Sequence, residues 1–166
     1  MKGQDLPGTL PKEMARLTYL KEIILSRNYL SGPIPPEWGS LPLVHMDISM
    51  NNFYGRLPRQ LGNFPLIERM LLTSNNFTGE LPDTFGDLTT LKDFRVGDSH
   101  FSGQIPDFIK NWTNLEILRI TDLSGPEAPF PPLEKMKDMK NLDLSFNKLN
   151  GTIPSNFDAL AYVDNM

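Results

Sequence analysis

The chain has 166 residues, 39% of them hydrophobic, and its 16 basic and 20 acidic side chains leave a net charge of −4. That length fits one domain, and the acidic balance argues against a nucleic-acid partner, which calls for a basic stripe. With no cysteine there is neither a disulfide framework nor a thiolate metal site, and no apolar run approaches the roughly 18 residues of a membrane span.

The chain opens on Leu6-Pro7-Gly8-Thr9-Leu10-Pro11, the closing part of a block that then recurs about every 24 residues as L-x-x-L-x-L-x-x-N-x-L-x-G-x-I-P. Blocks begin at Leu20, Leu43, Ile67, Leu91, Leu115 and Met139. A second apolar column follows three residues later: Ile23, Met46, Met70, Phe94, Leu118 and Leu142. The third, two residues further on, is Leu25, Ile48, Leu72, Val96, Ile120 and Leu144. Apolar residues alternating with exposed ones predict a short strand with one buried face. Gly8, Gly32, Gly55, Gly79, Gly103 and Gly151 each stand three residues before a proline, so every turn has the same geometry and each repeat stacks on the last.

Self-similarity at this period predicts a right-handed leucine-rich repeat solenoid, an α/β repeat of about six units with a parallel β-sheet on its concave face. All of residues 1–166 read as a single repeat domain. Two departures interrupt the rhythm. Asn28 and Asn51 are 23 apart, most simply a one-residue deletion near Pro42 in a connecting loop. Residues 121–133 then form an irregular, proline-rich insertion. There, strict counting puts Leu123 in the asparagine column. The alternative aligns Leu123-Ser124-Gly125 with Leu30-Ser31-Gly32, a shortened turn followed by a longer insertion. Periodicity resumes at Leu133, Met136 and Met139. At the C-terminus, Phe157, Leu160, Val163 and Met166 have the spacing of a further repeat, with Met166 where a seventh strand would begin. Neither end has the polar cap that closes a solenoid, so the chain reads as a fragment or a truncated gene product.

The columns divide the work. Apolar positions form a core no single repeat could bury. The ladder asparagines Asn28, Asn51, Asn75 and Asn147 each offer two donors and an acceptor to backbone groups of the turn after the strand. Ser99 can supply part of that bonding and Leu123 none, which makes repeat five the expected weak point. Trp38 and Trp112 read as packing residues rather than ligand platforms.

The motifs SGPIP, YGRLP, TGELP, SGQIP and NGTIP resemble the plant-specific, ~24-residue class of leucine-rich repeats. Within it, LLTSNNFTGELP, ITDLSGPEAPFPPL and LDLSFNKLNGTIPS are similar to the ectodomains of plant receptor-like kinases that carry a malectin-like domain. The resemblance implies an extracellular, glycosylated module of a single-pass membrane receptor whose Ser/Thr kinase domain is absent from this chain. The N-terminus MKGQDLPGTLPKEM lacks the apolar core of a secretory signal. The expected location is therefore the extracellular side of the plasma membrane if the chain is part of a receptor, with a cytoplasmic location open otherwise.

Recognition in such a solenoid belongs to the strand residues that point away from the core. Six strands about 4.8 Å apart give a face near 25 to 30 Å long, enough for an extended peptide of roughly eight residues. On it, Arg69, Arg95 and Arg119 lie beside Asp93, Asp98 and Asp122, with Leu71 and Asp143 in the same columns. These residues suit a protein or peptide ligand bearing both charge signs, or a co-receptor. The bland reading is that the charges pair across adjacent strands and solubilise the face. A third column, Ser26, Ser49, Thr73, Gly97, Thr121 and Ser145, is small enough to let a ligand backbone approach.

Three N-x-[ST] sequons make Asn76, Asn111 and Asn150 candidate glycan acceptors in a secreted protein. No enzyme motif is present: there is no H-E-x-x-H, no phosphate loop, no G-x-S-x-G elbow, and His45 and His100 have no partner at metal-ligand spacing. No catalytic residue, metal or cofactor is expected. The alternative to a receptor module is a free-standing interaction or inhibitor protein of the polygalacturonase-inhibitor kind.

Overall fold

A computed structural model describes residues 1–153. From the N-terminus the elements are β1 (Pro7–Thr9), η1 (Lys12–Arg16), β2 (Glu22–Ile24), β3 (Tyr29–Gly32), η2 (Pro36–Ser40), β4 (His45–Asp47), β5 (Asn52–Gly55), η3 (Arg59–Asn63), β6 (Arg69–Leu71), β7 (Asn76–Gly79), η4 (Asp83–Asp87), β8 (Asp93–Val96), β9 (His100–Phe101), η5 (Asp107–Asn111), β10 (Ile117–Ile120), β11 (Ala128–Pro129), β12 (Asn141–Asp143) and β13 (Leu149–Asn150), where η denotes a 3-10 turn. Up to η5 the helical part of each repeat is one such turn, and between β11 and β12 simple turns take its place. A proline fixed at φ between −60° and −75° immediately precedes all five, and its ring sets the direction in which the turn begins.

The concave sheet has six parallel strands in the order β2-β4-β6-β8-β10-β12. Its register runs Ile23↔Met46↔Met70↔Phe94↔Leu118↔Leu142, which is the second apolar column read from the sequence. The first three columns hold because a period-2 strand has one correct register when one face is buried. The deletion near Pro42 leaves this pairing untouched. The missing residue falls between Leu41 and Leu43, two apart where Phe64 and Ile67 or Leu88 and Leu91 are three apart, and Leu41, like Phe64, leaves its turn extended ahead of a proline (ψ 141° and 117°).

A second parallel sheet, β1-β3-β5-β7-β9, runs alongside the first. It comes from the N-x-L-x-G segment, where Leu30, Phe53, Phe77 and Phe101 point inward and are buried. Phe53, Phe77 and Phe101 stack beneath it, with ring centroids 6.4 and 6.0 Å apart. After β9 this sheet stops, and β11 pairs instead with β13.

The insertion explains the break. Arg27, Met50, Ser74, Asp98, Asp122 and Phe146 all have φ between 48° and 62°, so the left-handed residue after each concave strand stays in register through Asp122. Immediately afterwards the Leu123 amide donates to Asn147 Oδ1, as Leu30 does to Asn51 Oδ1 and Phe53 to Asn75 Oδ1. Leu123 is therefore the counterpart of Leu30. The turn is short by two residues, the asparagine is missing, and the extra chain follows. Gly125 packs directly on the Gly103 carbonyl, which leaves no room for a Cβ. Leu133, Met136 and Met139 then return to the core. Phe157, Leu160, Val163 and Met166, the expected start of a further repeat, lie outside the described residues.

Candidate functional site

Each ladder asparagine bridges two repeats as well as closing its own turn. Asn75 Nδ2 donates to Leu72 O in its own repeat and to Ile48 O in the preceding one, both at 3.1 Å, while its Oδ1 accepts the Phe53 amide at 3.1 Å. Asn51 repeats this with Ile48, Leu25 and the Leu30 amide. Asn147 uses Leu144, Ile120 and the Leu123 amide. Asn28 holds Leu25 O, Met1 O and the Gln4 and Leu6 amides. Ser99 is a partial substitute: its hydroxyl donates to Asn75 O at 3.0 Å and accepts the Asn75 amide at 3.3 Å. This ladder sets the pitch of the strands that carry the outward columns.

Those columns are less open than the sequence suggests. Asp93 is the hub of the face. Arg95 clamps it with two bonds, Nε at 2.7 Å and Nη2 at 3.0 Å, and Arg69 reaches it from the adjacent strand at 3.3 Å. With its side chain 13% exposed, Asp93 serves as a counter-ion beneath two guanidinium groups. Two-pronged contacts of this kind are the strong ones. Leu71 is only 6% exposed, against the expectation that it faces a ligand: the register places it between Asp47 and Arg95, and an aliphatic side chain flanked on both sides offers a ligand little surface. In the third column Ser26, Gly97 and Thr121 are also buried, so close backbone approach by a ligand is open only at Ser49, Thr73 and Ser145.

Arg119 is held differently. Its guanidinium stretches between Asp98 at 3.4 Å and Asp143 at 3.5 Å, both long for a charge-assisted bond. Asp98 also accepts the Ser74 hydroxyl at 3.2 Å, and Asp122 accepts the Asp98 amide at 3.3 Å. Beside Arg119 is a hollow of about 280 Å³ lined by Arg95, Ile117, Arg119, Asn141 and Asp143. It combines an apolar wall with a cation, an anion and an amide, the mixture from which ligand pockets draw orientation. The structure thus gathers Arg95, Arg119 and Asp143 around one cavity. Ile117 and Asn141, which sequence reasoning placed in the outward columns without singling out, complete it.

Burial alone would raise the Asp143 carboxyl, but hydrogen bonds from the Ser145 hydroxyl (2.6 Å) and amide (3.1 Å), together with Arg119, hold it below the ordinary carboxylate value. A depressed folded-state value stabilises the fold above the unfolded carboxylate value, and that contribution is lost as pH falls through the folded one. Ser145→Ala should therefore move the Asp143 titration midpoint upward in a carbon-detected NMR pH series. An unmoved midpoint would mean that the hydroxyl does not set it. Asp47 and Ser49 form the same pair, again at 2.6 Å.

Both tryptophans are fully buried, and each donates its indole N–H to the preceding repeat: Trp38 to Pro11 O at 3.1 Å and Trp112 to Phe85 O at 2.9 Å. They pack the core, as the columns imply. Among the described residues no helix is long and apolar enough to cross a membrane.

The Leucine Rich Repeat family model matches residues 19–41, 67–88 and 138–160. A protein described as a probable leucine-rich repeat receptor-like serine/threonine-protein kinase of Arabidopsis thaliana is 39% identical over 72 residues, which are 43% of this chain and 7% of that kinase. Among solved structures, the Arabidopsis receptor kinase HAESA, in complex with a peptide hormone and a co-receptor, superposes with a TM-score of 0.87 at 34% identity over 94% of this chain and 27% of its own. A plant peptide hormone receptor bound to its hormone gives 0.86 at 27% identity over 96% of this chain and 26% of that one. The chain therefore spans only a small part of these relatives, and what it shares with them is the non-catalytic repeat region. It is a leucine-rich repeat solenoid similar to the repeat regions of plant receptor kinases and to the hormone-binding ectodomains whose structures it matches.

Proposed function

We propose that the chain is a recognition module of a plant receptor-like kinase ectodomain, placed on the extracellular side of the plasma membrane, and that its concave face holds an extended peptide. The observation that carries this reading is the unbroken six-stranded concave sheet with a polar-and-apolar hollow between β10 and β12, in a fold whose structural neighbours are described in complex with peptide hormones. Within that reading, Arg119, Asp143, Asp98 and Asp122 are the contact residues. Arg95 lines the hollow while holding Asp93, and Arg69 supports it. The resemblance of LLTSNNFTGELP and ITDLSGPEAPFPPL supports membership of the malectin-domain-containing subgroup. A kinase activity would reside in domains outside this chain.

The test is selection of short linear peptides from a random 12-residue library on the folded full chain, followed by titration of the best binder. Arg119→Glu and, separately, Asn141→Trp, which fills the hollow, should each weaken binding at least tenfold with an unchanged circular dichroism spectrum. Lys110→Glu, on the exposed side of η5, should leave it unaltered. Binding that survives both concave substitutions would move the site to the rim or the convex side.

A further inference from the structure

The three sequons are not equivalent in the fold. On β7, Asn76 and Thr78 flank the fully buried Phe77, so the two-residue strand period turns both toward solvent. Among the described residues the Asn76 side chain makes no hydrogen bond. At Asn111 the amide nitrogen donates to Gly86 O of the preceding repeat at 3.1 Å, and the intervening Trp112 is wholly in the core. At Asn150 the amide nitrogen donates to Glu127 Oε2 at 3.2 Å. In those two cases the atom that would carry a sugar is already used to tie one repeat to the next.

A second observation singles out the same place. Tyr54 on β5 is the register partner of Asn76 and is 53% exposed. Neighbouring strands lie about 4.8 Å apart, so an exposed aromatic ring stands directly beside the free amide on the outer face of the second sheet. The negative face of such a ring attracts electropositive C–H edges, and one face of a pyranose is a row of them.

We propose that Asn76 is the N-glycosylated position of this chain and that the first sugar packs on Tyr54. The proposal rests on the extracellular reading above. In the transfer, Asn76 Nδ2 loses one proton and bonds to the anomeric carbon of an N-acetylhexosamine carried on a lipid pyrophosphate. The C–O bond to the pyrophosphate breaks, and the lipid pyrophosphate leaves with the electron pair. The resulting glycan stands on the second sheet, so the concave sheet stays bare for a ligand. A glycan on Asn111 or Asn150 would have to grow from an amide engaged between repeats.

The experiment secretes the full chain from a eukaryotic cell behind a heterologous signal peptide, then reads intact mass and glycopeptides. The expected result is one glycan, on Asn76, removed by Thr78→Ala. Tyr54→Ala should retain the glycan but lose the rise in melting temperature that the glycosylated protein shows over its enzymatically deglycosylated form. Unmodified Asn76, or equal occupancy of Asn111 or Asn150, overturns the site; an unchanged melting difference in Tyr54→Ala overturns the packing partner. Because the signal peptide imposes the route, either failure concerns the site itself. Recovery of the native protein from the cytosol would instead sink the receptor reading.

Discussion

Asn75→Ala is expected to lower the melting temperature by about 6 to 12 °C, and Ser99→Ala by about 2 to 4 °C. The difference follows from what each side chain holds. Asn75 donates to two buried carbonyls in successive repeats and accepts the Phe53 amide. Alanine would strand all three, each loss being about 1 to 3 kcal/mol and partly shared because the groups are neighbours. About 3 kcal/mol is a conservative total, and a chain of this size loses roughly 2 to 4 °C per kcal/mol. Ser99 exchanges bonds only with the Asn75 backbone, so about 1 kcal/mol is at stake. Calorimetry on the two variants decides the matter: equal shifts would mean that the ladder does not staple the repeats.

Trp112→Ala should be costlier still, about 3 to 5 kcal/mol, with a melting shift of about 6 to 20 °C. Its ring lies 4.7 Å from Phe94 and 5.8 Å from Phe108, and its N–H donates from repeat four to the Phe85 carbonyl of repeat three. Trp112→Phe should recover most of the loss, since the apolar contacts remain while the Phe85 carbonyl goes unpaired. Peptide affinity of Trp112→Phe, measured below its melting temperature, should equal that of the parent. A large loss of affinity with the stability intact would make Trp112 a ligand platform after all.

The concave sheet was legible because its information is one-dimensional: Ile23, Met46, Met70, Phe94, Leu118 and Leu142 recur at a period that only stacking explains. The second sheet was harder to read. Each of its segments carries at most one inward apolar residue, such as Phe77 in Asn76–Gly79, so no alternation stands out from turn chemistry, although N-x-F-x-G repeated at Phe53 and Phe77 was the signal. The left-handed column was hidden for another reason. Arg27, Met50 and Phe146 are not residues that favour positive φ, and the stack imposes on them what their own propensities would not. The site was legible only in outline. Columns reveal which residues share a face, but the burial of Leu71 and the two-armed clamp on Asp93 depend on how side chains from three repeats settle against one another. Arg69 pairs with Asp93 across adjacent strands, Arg95 pairs with the same carboxylate within its own strand, and Arg119 keeps long, divided contacts to Asp98 and Asp143.

The end of the second sheet at β9 has a mechanical consequence. A stack of repeats behaves as a row of units coupled to their neighbours, and up to repeat four each coupling has two seams of backbone bonds. Across the next junction the concave seam continues as β8 with β10, but the other is reduced to the bonds from Ser124 to Phe101 and from Gln104 to Glu127. Heat or pulling force therefore meets one joint that opens like a hinge held along a single edge. In such a row the longer block, from Pro7 to Phe101, would melt as one unit and the shorter block beyond it as another, with the candidate hollow straddling the joint: Arg95 on one side, Ile117, Arg119, Asn141 and Asp143 on the other.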